Sequence, residues 1–403
     1  MAASDDLIHR DSAAFRRASL AMFLGGFGTC AMMYCVQPLL PLFAGDFAVS
    51  PTVSSLALSL TTFALAFGLL AASALSEAWS RKTIMAGSVI VSAVLTLMSA
   101  AIPHWGAFLA VRALIGLTLS GLPAVAMAWL AEEMNPKAMG LAMGLYIGGN
   151  GIGGMVGRLL TGILAGVLDW RWTVAAAALV GLGCGIAFVA LLPPSRHFSR
   201  RPLAFGGLAR NYLAHLADPA LRLLFAEAFI VVGAFATAYN YITFRLLGPP
   251  YHLPQAATGL IFVIYLIGAA SSTWTGHLAG RFGRDRLLPI AIGIELAGAL
   301  LSLATPLPAV VLGIVVLTIG FFASHTTASA WVSAEATRAR AQAAALYLFL
   351  FYLGSSIVGS VGGIAWSRGG WGGVIALIGV LLLIGLASAR RLMTLPSRVA
   401  KVM

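Results

Sequence analysis

Residues 18–45 read ASLAMFLGGFGTCAMMYCVQPLLPLFAG, without one charged side chain. A helix needs about 20 apolar residues to cross the hydrocarbon of a bilayer, and this run exceeds that. Residues 47–76 and 83–111 are equally free of Asp, Glu, Lys and Arg. In a bilayer a helix satisfies its own backbone, and these runs lack the in–out alternation of a barrel strand. The stretch predicts a membrane helix, and the chain repeats the prediction down its length.

Of the 403 residues, 60% are hydrophobic and 9% are charged, with a mean hydropathy of +0.94. A soluble domain carries about 25% charged residues, so this chain cannot wet a globule of its size; its surface is built for a lipid bilayer. The net charge of +12 sits in short clusters between apolar runs, not in a patch interleaved with aromatics, and no nucleic-acid partner is expected. Cys30, Cys35 and Cys184 all fall in apolar runs, which excludes a disulfide framework or a cysteine metal site.

Proline, glycine and charge breaks predict twelve spans: 19–44, 52–76, 82–102, 107–131, 137–166, 170–192, 221–247, 255–280, 285–304, 308–333, 339–367 and 371–390. Most of the 25 basic residues lie between spans on the side of the N-terminus, with only Arg171, Arg245 and Arg368 opposite and Arg112 and Arg158 inside spans. Cytoplasmic loops carry such an excess, so both termini are expected in the cytoplasm. The first apolar run is too long for the core of a signal peptide and should remain as a span. The longest polar stretch, from Pro193 to Pro219, marks a boundary: a six-helix bundle at 1–192, a cytoplasmic linker at 193–220 and a second six-helix bundle at 221–403. Within the linker, residues 203–216 place apolar side chains at roughly helical spacing, as in a helix lying on the inner leaflet.

The two halves repeat. Leu75-Ser76-Glu77 followed by Arg81 falls on Leu278-Ala279-Gly280 followed by Arg284. Ala128-Trp129-Leu130-Ala131-Glu132-Glu133 falls on Ala330-Trp331-Val332-Ser333-Ala334-Glu335. Tyr146, Gly153, Gly162 and Trp170 fall on Tyr347, Gly354, Gly363 and Trp371. Related bundles of this kind are the building plan of secondary transporters.

The segment Ser73-Ala-Leu-Ser-Glu-Ala-Trp-Ser-Arg-Lys82 and its second copy, Gly276-His-Leu-Ala-Gly-Arg-Phe-Gly-Arg284, resemble the signature loop of the major facilitator superfamily. Arg112-Ala-Leu-Ile-Gly116 resembles its arginine motif. Tyr34-Cys-Val-Gln-Pro-Leu-Leu-Pro41 and the glycine run from Leu145 to Arg158 resemble the arabinose-efflux-permease type of bacterial exporters. The resemblance covers essentially the whole chain and implies an all-α membrane protein of two pseudo-symmetric six-helix bundles. The sequence also departs from the pattern. Glu77 stands for the usual aspartate, Ala78 for an arginine and Ser80 for a glycine, and the proline of the antiporter motif is absent around Gly153–Arg158.

Gly149-Asn-Gly-Ile-Gly-Gly154 matches a dinucleotide-binding fingerprint by letter, but that fingerprint belongs between a strand and a helix. Inside an apolar helix it reads as close packing, with Gly153 and Gly157 at contact spacing.

Charges within spans are sharper, because each costs about 2.5–3.5 kcal/mol to insert at the bilayer centre. Glu227 lies shortly after Arg222 in span seven: it either pairs with an arginine or binds a proton. Glu295 lies mid-way through span nine, a helix the resemblance puts outside the cavity, so it is expected to hydrogen-bond a neighbouring helix. By resemblance Arg112 supports proton transfer. Arg158 lies about 16 Å from the outer end of span five on a rise of 1.5 Å per residue, and either bridges an acid such as Glu227 or backbone carbonyls, or binds substrate. Asn150, two turns earlier, shares its side. Tyr34 and Gln37 in span one, Tyr239, Asn240 and Tyr241 in span seven, His325 in span ten and Tyr347 in span eleven complete the candidate substrate-binding set, on helices that line the cleft in this superfamily. His325 fits a helix–helix hydrogen bond and a proton relay equally well. By resemblance, Arg81, Arg281 and Arg284 form a cytoplasmic gate, with Glu77 and Glu335 as available acids.

The expected function is secondary active transport of a small organic compound (drug, sugar or metabolite) in the bacterial inner membrane, by proton-coupled efflux. A proton-coupled importer or a facilitative carrier shares the fold, and a membrane receptor or scaffold is the reading from another class. No Gly-x4-Gly-Lys-Ser/Thr loop is present for nucleotide and no His-Glu-x-x-His constellation for catalysis, so no cofactor, metal or enzymatic activity is expected. The partners are a small molecule, protons and lipid, with the chain acting as a monomer.

Overall fold

The computed structural model describes residues 7–197 and 205–395; the side chains of Ala74, Glu77, Ala78 and residues 205–209 lie outside the described set. The chain is almost wholly helical. Helix α1 (Ala13–Tyr34), a 3-10 turn (Gln37–Leu39) and α2 (Leu40–Asp46) are followed by α3 (Pro51–Ala78), α4 (Arg81–Ser99), α5 (Trp105–Leu119), α6 (Gly121–Glu133), α7 (Pro136–Leu164) and α8 (Trp170–Leu191). Then come α9 (Phe205–Ala217), α10 (Pro219–Leu247), α11 (Gln255–Gly259), a 3-10 segment (Leu260–Ile264), α12 (Tyr265–Phe282), α13 (Arg284–Leu301), α14 (Leu307–Glu335) and α15 (Arg340–Thr394).

The polar residues that interrupt the apolar runs start the helices. Ser12 accepts from the Phe15 amide at 3.0 Å, Asn135 from Lys137 at 3.0 Å and Asp169 from Arg171 at 2.8 Å. Asp218 accepts from both Ala220 and Leu221. Pro136 and Pro219 follow their caps, where a missing amide hydrogen costs nothing. Breaks follow chemistry too: Gly370 adopts φ 53°, ψ −143° and, with Gly369, interrupts α15, a left-handed geometry that glycine tolerates. The expected linker contains the short helix α9, with Leu213 67% exposed.

Among the described residues, nine helical stretches are long and apolar enough to cross a membrane by length and composition. Helix α7 falls outside that set because glycines, Asn150 and Arg158 dilute it, and α13 because charges open it. The long α15 covers what the sequence divides into two spans. Large apolar side chains such as Phe67, Met98, Ile147, Ile186, Leu383 and Ile384 stand exposed. That surface would be a liability in water and suits lipid.

Contacts divide the chain into two units: Met1–Leu39 with Leu60–Leu203, and Leu40–Ser59 with Ala204–Met403. In the first, α1 packs on α7 and α8, and α4 on α5, α6 and α8. A methyl group on Gly149, Gly153 or Gly157 of α7 would strike the backbone of Phe23, Phe27 or Ala31 of α1, so this glycine run is a packing surface. In the second unit α10 packs on α15 and α14, and α13 on α14 and α15, around a core including Phe225, Ile242, Phe262, Ile292 and Leu317.

Candidate functional site

In the first unit the polar groups collect around Arg158, which α7 holds 3% exposed. Its guanidinium carbon lies 3.7 Å from the centroid of the Tyr34 ring. Its Nε donates to Gln37 Oε1, and its Nη1 donates to the Gly154 carbonyl at 2.7 Å. Gln37 reaches it because α1 ends at Tyr34 and the chain tightens into a 3-10 turn. A Cβ on Gly154 would stand 3.2 Å from Nη1 and 3.7 Å from Cys30 Cβ, so glycine makes room for the arginine. Cys30 Sγ in turn lies 3.8 Å from Asn150 Oδ1, which occupies the space over Gly26. The ring face, amide and carbonyl meet the charge in place of water.

Arg112 lies next to this group but acts on the backbone. It is fully buried in α5 and donates to the Met33 carbonyl at 3.0 Å, with Cys35 interacting alongside. It therefore secures the end of α1 from which Tyr34 and Gln37 emerge.

In the second unit His325 Nδ1 lies 3.0 Å from the Tyr347 phenol. Phe321 stacks on the imidazole, Phe351 lies 4.8 Å from it, and Phe235 stacks on Phe321 at 3.8 Å. Tyr239 joins through Phe235 at 4.8 Å and bonds the Thr318 hydroxyl at 2.8 Å. Tyr241 does not join: its phenol donates to the Gly359 carbonyl at 3.0 Å and its ring stacks on Phe244 and Trp366. Asn240 is 1% exposed, with its amide against Gly359. Successive helical residues point about 100° apart, so Tyr239-Asn240-Tyr241 cannot all serve one cavity. The sequence reading missed Phe235, Phe321 and Phe351. Their signal is the spacing of four that pairs each with Tyr239, His325 and Tyr347 on one helix face.

Glu227 and Glu295 also lie in this unit, both with no exposed surface. One of the two alternatives for Glu227 falls away here, and the expectation for Glu295 is corrected. Among the described residues neither oxygen of Glu227 makes a hydrogen bond and no arginine pairs with it, and neither oxygen of Glu295 bonds a neighbouring helix. Helix packing buries both, and among the described residues no donor of ordinary geometry meets either carboxyl.

Of the gating candidates, Arg81 donates to Ser76 and grips Glu132 through Nη2 at 2.7 Å; the side chain of Glu77 lies outside the described residues. Arg281 is exposed over the Phe282 ring, Arg284 opens α13, and Glu335 is buried at the end of α14. Glu132 and its neighbour Glu133 were passed over, though both stand in the repeated Ala-Trp motif. Glu133 accepts from the Arg196 and His197 amides at 2.7 and 2.9 Å and meets the His197 ring at 3.1 Å.

Residues 22–253 match the Major Facilitator Superfamily. An uncharacterized MFS-type transporter of Bacillus subtilis (strain 168), YybF, is 42% identical over 379 residues, 94% of each chain. The inner membrane transport protein YnfM of Escherichia coli (strain K12) is 42% identical over 388 residues, 96% of this chain and 93% of that one. A crystal structure of the nucleoside transporter NupG superposes with a TM-score of 0.74 at 14% identity, covering 95% of this chain and 98% of that one, which shows a shared fold. With buried charges in apolar helices, a lipid-suited surface and relatives that are transporters, the chain belongs to the Major Facilitator Superfamily as a multi-pass membrane transporter.

Proposed function

We propose that this transporter is a proton-coupled secondary carrier of the bacterial inner membrane that exports a small organic compound by alternating access. It acts as a monomer of twelve spans in two bundles, 1–192 and 221–403, with the 193–220 linker and both termini in the cytoplasm. The observation that supports a substrate role most directly is the Arg158 cluster: a permanently charged fork, deep in a span, held by Tyr34, Gln37 and the Gly154 carbonyl. Such a fork suits a substrate with an anionic or strongly hydrogen-bond-accepting group. Asn150 extends this polar surface. His325, Tyr347 and Tyr239 provide an aromatic surface in the other unit, and Asn240 and Tyr241 support the helices that carry it. Glu227 is the coupling acid, with Arg112 supporting proton transfer; Glu77, Arg81, Arg281 and Arg284 belong to the cytoplasmic gate. Export rests on the resemblance of residues 34–41 and 145–158 to exporters.

A thermal-shift screen of small organic acids, sugars and drugs on the purified protein identifies a ligand, since binding stabilises the folded state. Flux of that ligand is then measured in sealed proteoliposomes under an imposed pH gradient. Gradient-driven flux that Glu227→Gln abolishes, with ligand binding retained, is the expected result. Flux indifferent to the gradient would make the protein a facilitative carrier.

A further inference from the structure

The start of α4 opens onto two adjoining cavities of the first unit, away from the Arg158 cluster. One, of about 580 Å³, is lined by Ser80, Lys82 and Thr83 at the helix start and by Pro194 and Ser195 after α8. The second, of about 430 Å³, shares Thr83, Gly87 and Val91 with the first and continues between Trp79 at the end of α3 and Leu117 of α5. Ligand sites have volumes of roughly 300–1,000 Å³, and these two make one groove with two chemistries. At the helix start it offers an ammonium and the hydroxyls of Ser80, Thr83 and Ser195. Further along, the hydroxyls of Ser88, Thr118 and Ser120 are spent on backbone carbonyls, while Trp79, Val91 and Leu117 stand exposed. Val91 lies nine residues beyond Lys82, about 14 Å at 1.5 Å per residue. That is the depth of one leaflet in a hydrocarbon core about 30 Å thick.

Side chains fix the wall at the polar end. Trp129 Nε1 donates to Ser195 Oγ at 3.1 Å, and buried Glu133 accepts from the Arg196 and His197 amides. Ser195 accepts that bond and keeps its own hydrogen to donate. Lys82 donates to the Leu192 carbonyl, one bond from an ammonium with three donors. Glu132 meets the charge of Arg81, but among the described residues no carboxylate forms an ion pair with Lys82. None of the residues lining either cavity is acidic. Helix α4 begins here without a side-chain cap, and a helix start carries partial positive charge.

We propose that this groove binds one anionic phospholipid, its phosphate on Lys82 and the Ser195 hydroxyl and an acyl chain running past Gly87 and Val91 towards Leu117. Charge complementarity selects the class. A phosphodiester with an uncharged headgroup, as in phosphatidylglycerol, matches a single ammonium, whereas the cation of an ethanolamine headgroup meets no acid in the lining. With the basic loops inside, the site belongs to the inner leaflet, whose anionic lipids draw basic residues. A bound lipid joins the start of α4 to the segment leaving α8 and so steadies the beginning of the linker. The site depends on neither the direction nor the coupling of transport.

The test uses phosphatidylglycerol with a photoreactive acyl chain and the full-length protein in phosphatidylcholine nanodiscs, with the labelled peptides identified by mass spectrometry. Labelling should be saturable, centre on residues 75–91 and 117–121, and be displaced by plain phosphatidylglycerol but not by phosphatidylethanolamine or inorganic phosphate. Lys82→Gln should weaken binding about fivefold. A Cβ at Gly87 would meet nothing within 4 Å, so Gly87→Leu fills the groove without striking the protein. Excluding even two methylenes of the chain should weaken binding about tenfold. Gly148→Leu, at another open position, should leave binding unchanged. Labelling spread evenly over Ile147, Leu383 and Ile384 would mean ordinary annular lipid and overturn the proposal. So would equal displacement by phosphatidylethanolamine, displacement by inorganic phosphate alone, or wild-type affinity in a folded Lys82→Gln or Gly87→Leu variant.

Discussion

A guanidinium remains charged in any protein environment, so the worth of Arg158 depends on what surrounds it. The ring of Tyr34, the Gln37 amide and the Gly154 carbonyl hold it in one orientation. Hydrogen bonds to charged groups contribute about 1.5–3 kcal/mol. If the fork binds substrate, Arg158→Ala should weaken binding by roughly ten- to a hundredfold. Arg158→Lys should weaken it less, since charge is kept and the fork lost. Calorimetry on monodisperse variants, with a ligand from the screen, measures both; wild-type affinity in Arg158→Ala would remove it from the binding site. Such residues were legible because a charge stands out in an apolar run: Arg158, Arg112, Glu227 and Glu295 were all visible. Their partners were not. That Cys30 meets Asn150, or that Tyr34 and Gln37 hold Arg158, depends on the rotation of one helix against another, which no single-helix pattern encodes.

Helix contacts in lipid depend on close backbone approach, since no hydrophobic driving force separates one apolar surface from another. Helices α1 and α7 meet along Gly149, Gly153 and Gly157, whereas Gly148 faces open space. Gly153→Leu should therefore force the pair apart and destabilise the fold by about 1–3 kcal/mol, lowering the unfolding temperature in detergent. Gly148→Leu should leave it unchanged. Equal effects from both would mean that residue 153 is not a contact. A second element depends on one side chain. Arg245 of α10 donates to the carbonyls of Ser302 and Ala304 after α13, while Trp371 of α15 donates to the Ser302 carbonyl at 3.1 Å. Arg245→Ala should leave those carbonyls short of donors at a cost of about 1–3 kcal/mol, read as a drop in the same unfolding temperature. The starts of α7 and α10 were legible in Asn135-Pro136 and Asp218-Pro219, where cap and proline act locally. The division of Tyr239, Asn240 and Tyr241 among different surroundings was not, because it depends on which helices lie on each side of α10.

For the molecule as a whole, the internal repeat and the distribution of basic residues carry most of what can be read without coordinates. Trp170 and Trp371, matched by the repeat, both open or resume a helix and are buried, Trp170 edge-on to Phe108 and Trp371 against Ser302. The two tryptophans thus stand at matching places in their units, at the start or resumption of a helix. Orientation is a separate matter, because the fold is compatible with either direction and only charge selects one. Lysine and arginine in short loops resist translocation. Arg81, Lys82, Lys137, Arg196, Arg210 and Arg340 all belong to one side on this reading, and Arg171, Arg245 and Arg368 to the other. The prediction is that residue 210 is cytoplasmic and residue 104 external. Both side chains are exposed, so cysteines placed there singly, after replacement of Cys30, Cys35 and Cys184, should be reactive wherever reagent can reach. A membrane-impermeant maleimide applied to intact spheroplasts should label position 104 at once and position 210 only after the membrane is opened. Labelling of 210 in sealed cells, with 104 protected, would invert the chain. The basic clusters would then be binding surfaces rather than topological signals, and the loop bearing Arg81 and its ion pair with Glu132 would face the outside.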